Sequence, residues 1–191
     1  MATAWWAEAW LALTGAIRLA RGDRGGMLCF DPTEMGFWHS FRCAVLCYPL
    51  YLILLAFPIE LGEPPELDPV RVTIVETIHY VISWVAFPLL MIPLVDWLRR
   101  GDRYFAFMVA YNWSQAPQTA LFALVALAGA VGLLPAEGML YADLIVGVAA
   151  LVYEWYVSYV ALEVTRPKAA LVILVDVVLA TILSHVSAAL Y

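Results

Sequence analysis

Residues 168–190, KAALVILVDVVLATILSHVSAAL, decide the class of this chain: behind Lys168, one acid (Asp176) and one histidine (His185) stand among aliphatic side chains. At ~1.5 Å rise per residue a helix of this length covers the ~30 Å hydrocarbon core of a bilayer. The segment therefore predicts a membrane span. Working back toward the N-terminus, the stretches 140–165, 104–133, 72–98 and 37–59 meet the same length requirement. Composition agrees: of 191 residues 64% are apolar and 14% charged, with a mean hydropathy of +0.85, against ~45–50% and ~25% in soluble domains.

Outside these stretches lie residues 1–36 and short connections, too little for a soluble domain of ordinary size, which excludes a nucleotide-driven motor. A formal charge of −6 and a pI near 4.9 exclude a nucleic-acid surface, which is basic. The predicted fold class is an all-α integral membrane bundle. A segment 1–36 carries an amphipathic interfacial helix over about 4–20, and five transmembrane helices follow over 37–191.

Orientation follows from the cations, because short loops rich in Lys and Arg stay in the cytoplasm. Nine of the ten fall on one side: Arg18, Arg21, Arg24 and Arg42 before or at span one, Arg99, Arg100 and Arg103 between spans two and three, and Arg166 and Lys168 between spans four and five. Arg71 lies opposite. The first loop on that opposite side carries Glu60, Glu63, Glu66 and Asp68, and the loop 134–139 holds Glu137 without a cation. The expectation is a cell inner-membrane protein with its N-terminus cytoplasmic and Tyr191 outside. Nothing basic precedes Trp5, so no cleavable signal is expected.

In 4–20, AWWAEAWLALTGAIRLA, Trp5, Trp6, Ala9, Trp10, Leu13, Ile17 and Ala20 share one side at 100° per residue, with Glu8, Thr14, Arg18 and Arg21 toward the other. Trp5, Trp6 and Trp10 read as interfacial anchors, apolar in body and polar at the indole N–H. The turn-like stretch RGDRGG (21–26) follows, and Asp31–Glu34 caps span one. Pro88, Pro93 and Pro117 predict kinks, since each removes a backbone donor, with Ser114 and Gln115 near enough to serve the carbonyl freed by Pro117. Small residues in 126–132, at Gly147/Ala150 and at Ser184/Ala188 predict helix seams.

Polar side chains inside spans cost roughly 2.5–3.5 kcal/mol each when ionisable and face the bundle interior with a partner. Arg42, Asn112, Gln115, Glu154 and Asp176 lie at similar depth and predict one intramembrane layer. Glu76, His79, Asp143 and His185 predict a second, outer layer. Two readings stand side by side: Arg42, Asn112 and Gln115 hydrogen-bond Glu154 and Asp176 to fix helix register, or the layers form a proton or small-cation path. His39, Cys43 and Cys47 share a helical face with Cys29 nearby, but cytoplasmic thiols stay reduced and no CxxC supports a metal, so neither disulfide nor metal site is expected. Catalytic signatures such as GxSxG, HExxH and the P-loop are absent. No cofactor is called for.

Five tightly connected spans after a cytoplasmic segment resemble the layout of Yip1-domain membrane proteins and their bacterial relatives, and Ala110–Gln115 with Tyr153–Tyr156 resembles uncharacterised bacterial inner-membrane families. The resemblance covers residues 37–190 and rests on architecture. It implies membrane organisation or partner binding without chemistry, and transfers no site residues. The resulting expectation is a non-enzymatic multi-pass protein that shapes or scaffolds the membrane, with lipids and a membrane-protein partner or second copy as contacts. Its alternative is a small transporter or proton- or cation-conducting protein built on the Glu154/Asp176 layer.

Overall fold

The computed structural model describes residues 5–57 and 68–190, which are helical with no strand among them. Glu60, Glu63, Glu66 and Tyr191 lie outside the described residues. Among the described residues seven α-helices follow in order: α1 (Trp5–Ala20), α2 (Glu34–Ser40), α3 (Arg42–Ala56), α4 (Pro69–Trp97), α5 (Tyr104–Ala130), α6 (Ala136–Ala161) and α7 (Arg166–Ala188). Four are long and apolar enough to cross a membrane: α2 and α3 taken as one, α4, α6 (from Glu137) and α7. On α4, Val70, Ile74, Ile78, Val81, Val85, Leu89 and Ile92 recur at helical spacing and are exposed. Leu174, Val178, Ile182 and Val186 do the same on α7. Continuous apolar faces of this extent suit a lipid environment.

The helix α5 differs from those four because its surroundings differ. Every residue from Ala106 to Ser114 is buried, since α1, α2, α3 and α6 all pack on this helix. The enclosure covers this stretch alone, since Leu121 and Leu124 further along α5 are exposed. Asn112, Ser114, Gln115 and Gln118 lie in or beside the enclosed stretch. Pro117 lies inside α5, Pro88 and Pro93 inside α4 and Pro49 inside α3. Ser114 and Gln115 are used elsewhere: Ser114 Oγ donates to the Tyr111 carbonyl (2.7 Å) and Gln115 to Glu154 (3.2 Å).

The first predicted span, 37–59, begins earlier and is broken. Thr33 caps α2, its Oγ1 accepting from Gly36 N–H at 3.1 Å, and Phe41 separates α2 from α3. The helix α1 turns the small residues Ala9, Ala12, Gly15 and Ala16 inward with Leu19, while Trp5, Trp6 and Trp10 point away from the bundle, Trp10 at 74% exposure. Close approach requires the glycines that follow: a Cβ at Gly26 would stand 2.5 Å from the Gly15 carbonyl oxygen, and one at Gly15 2.8 Å from that of Gly26. Tyrosines of α6 fix the same segment, Tyr153 donating to Ala16 O at 2.7 Å and Tyr156 to Gly22 O.

At the arginine-bearing end the chain turns through two left-handed residues, Arg99 (φ 58°) and Glu163 (φ 50°), at the ends of α4 and α6. Arg100 donates to the Glu163 carbonyl at 2.7 Å, and Arg103 pairs with its carboxylate. The loops α4–α5 and α6–α7 are thereby tied together on one face.

Candidate functional site: a polar cavity among the helices

Glu154 on α6 and Asp176 on α7 face α5, which reaches both. Gln115 Nε2 donates to Glu154 Oε1 at 3.2 Å, and Tyr111 Oη donates to Asp176 Oδ2 at 2.8 Å. Gln115 stands four residues after Tyr111, so the two project from one face of α5 a turn apart. Glu154 is 8% exposed. Among the described residues neither carboxylate makes an ion pair with Arg, Lys or His.

Both carboxylates line a cavity of about 370 Å³. Asn112, Gln115 and Thr119 of α5 line it as well, with His79 and Ser83 of α4. The rest of its wall is aromatic and aliphatic: Tyr51 of α3, Tyr80, Trp84 and Phe87 of α4, and Tyr111, beside Pro88, Leu151 and the α7 residues Val177, Leu179, Ala180 and Leu183. The rings touch one another, with Phe87 stacked on Tyr111 at 4.3 Å between centroids and Tyr51 tilted against Tyr80 at 4.7 Å. From Glu154 and Asp176 the lining runs to Leu183 and His79, toward the end where α7 finishes and α4 begins.

The predicted inner layer is partly assembled. Gln115, Glu154, Asp176 and Asn112 meet at the cavity, and Asn112 also donates to Ser40 Oγ at 2.7 Å. Arg42 does not join them: its guanidinium binds Glu8 of α1 at 3.0 Å, where His39 Nδ1 also lies 2.8 Å from the same carboxylate. The register reading assigned Arg42 to Glu154 and Asp176, and the geometry gives it to α1 instead.

The outer layer divides similarly. His79 Nδ1 lies 3.4 Å from Glu76 and 3.0 Å from Ser187 Oγ, and Glu76 accepts from Tyr51 at 2.7 Å. His185 is exposed, its Nδ1 2.8 Å from the Thr181 carbonyl one turn back. Asp143, near the start of α6, is not among the cavity-lining residues. His79 thus belongs to the same cavity as the inner layer, so the two expected layers do not stand apart. The aromatic members Tyr51, Tyr80, Trp84, Phe87 and Tyr111 were absent from the sequence-based set.

The thiols Cys43 and Cys47 are buried with their sulfurs 3.8 Å apart, and all three cysteines are free. Among the described residues no group of three or more His, Cys, Asp or Glu is gathered as a metal site. Outside the spans, Asp23 accepts from Arg18 Nε at 2.7 Å and from Gly25 N–H at 2.8 Å, and the guanidinium holds its carboxyl below its ordinary value. Comparison of the chain with protein-family models, with curated proteins and with solved structures yields no match.

Proposed function

We propose that this chain is a five-span inner-membrane protein, N-terminus cytoplasmic and C-terminus outside, that moves protons or small cations through the cavity bounded by Glu154 and Asp176. In this reading α5 is the fifth span, its polar middle shielded from lipid by its neighbours. The observation that carries the proposal is the pair of carboxylates in one intramembrane cavity with no cationic partner among the described residues. An acid inside a bilayer is retained against its insertion cost chiefly where it handles charge. Access is from the face opposite the arginines, toward which Leu183 and His79 extend the lining.

A second reading, membrane organisation through a partner or second copy as the Yip1-domain likeness implies, draws support from the cross-helix bonds Tyr111–Asp176, Gln115–Glu154 and Asn112–Ser40. Such bonds fix register whether or not anything moves. The two readings separate in proteoliposomes carrying an internal pH dye. Under an imposed gradient the wild-type protein conducts, and Glu154→Gln abolishes flux while its amide oxygen still accepts from Gln115 and keeps the fold. Equal flux in wild type and Glu154→Gln, or none in either, favours the organising role.

A further inference from the structure

Resting on the transport reading above, we propose that the cavity binds a small organic cation, an amine or quaternary ammonium compound with an apolar or aryl substituent. Its positive centre lies against Glu154 and Asp176, and its carbon skeleton lies against the rings of Tyr51, Tyr80, Trp84, Phe87 and Tyr111.

Size is the first argument. About 370 Å³ falls in the ~300–1,000 Å³ range of small-molecule sites, far beyond the space of one ion. Wall chemistry is the second. A hard metal cation replaces its water shell with about six to eight oxygens, whereas this wall sets five aromatic rings and the aliphatic residues Leu151, Val177, Leu179 and Leu183 beside its polar groups. Ring faces attract cations through their quadrupole, and the attraction grows when both partners are withdrawn from water. The distribution of charge is the third. The carboxylates enter from α6 and α7, and most of the rings belong to α3 and α4. A ligand with a charged end and an apolar end is therefore held in one orientation. The amide N–H groups of Asn112 and Gln115 already donate to Ser40 and Glu154, so the positive charge of the ligand is met by the carboxylates and the ring faces.

The test is equilibrium dialysis of radiolabelled benzyltrimethylammonium against the full chain in nanodiscs, with flux of proton and probe measured on the same variants in sealed proteoliposomes. The expected result is saturable binding of one cation per chain, weakened at least tenfold by Glu154→Gln combined with Asp176→Asn and by Trp84→Leu. Trp84→Phe, which restores a ring, recovers most of the affinity, and an excess of benzyl alcohol, the neutral probe, does not compete. Binding that is absent, that survives both charge-removing substitutions, or that benzyl alcohol displaces overturns the inference. Flux without binding sinks the organic-cation assignment alone, whereas binding without flux of proton or probe sinks the transport reading and leaves a ligand site.

Discussion

Removing one oxygen atom tests how the cavity is held open. Tyr111→Phe keeps the ring stacked on Phe87 at 4.3 Å and deletes the hydroxyl that donates to Asp176 at 2.8 Å. Single hydrogen bonds between membrane helices average ~0.6 kcal/mol in double-mutant cycles and reach ~1.7 kcal/mol. The packed ring is retained, so no cavity cost adds to this, and the loss is about 0.6–1.7 kcal/mol. For a chain of this size, at ~2–4 °C per kcal/mol, the midpoint of thermal unfolding falls by about 1–7 °C. The assay is intrinsic tryptophan fluorescence during heating in detergent micelles, repeated for Asp176→Leu and for the double variant. The cycle isolates the bond: the effects of the single substitutions sum to more than that of the pair by about the bond's own value. A coupling below ~0.3 kcal/mol, the level at which independent sites add, refutes the claim that this hydroxyl ties α5 to α7.

Three further outcomes follow from the packing of α1 and its turn. Glu8→Ala and Arg42→Ala each cost about 1 kcal/mol or less, because the pair is about one-third exposed, and both expose Arg21 and Arg24 to trypsin more quickly; unchanged cleavage contradicts a holding role for the Arg42–Glu8 pair. Gly26→Ala costs about 1–3 kcal/mol, since the added Cβ meets a carbonyl oxygen at 2.5 Å that cannot swing aside, and a variant as heat-stable as wild type removes that account of the α1 turn. Asp23, held below its ordinary 3.8 by Arg18, contributes stability that is present above that value and lost as pH falls through its lowered folded value; NMR titration of its carboxyl gives a midpoint below 3.8 that Arg18→Ala raises, and a midpoint at 3.8 or above disproves the pairing.

The membrane helices were legible because lipid imposes a simple rule on them: long apolar runs with charge at the ends. The ends of α4, α6 and α7 fall within a few residues of the expected spans. Neighbours and direction were harder to read. Arg42 was matched to acids at its own depth, yet its partner Glu8 stands 34 residues earlier on a helix whose inward face is built of alanine and glycine. Without large apolar residues that face gave no signal, and the tryptophans drew attention to the opposite one. His185 lies nine residues beyond Asp176, roughly half a revolution around the helix at ~3.6 residues per turn, so it turns away from the cavity. Asp143 shares a face with Glu154, but about three turns separate them along the axis. The rings of the cavity wall escaped notice because tyrosine and tryptophan in spans read first as interface anchors. Their convergence depends on how α4 sits against α3 and α7, which no single segment encodes.

In the transport reading, water reaches Glu154 and Asp176 from the side opposite the arginines. Single cysteines introduced after Cys29→Ser, Cys43→Ala and Cys47→Ala test it directly, with a membrane-impermeant methanethiosulfonate applied to that side. Leu183 lines the cavity, while Leu174 is exposed on the apolar outer face of α7. Water access from that side gives rapid labelling of Leu183→Cys and none of Leu174→Cys; two thiols equally unreactive mean that no such path exists.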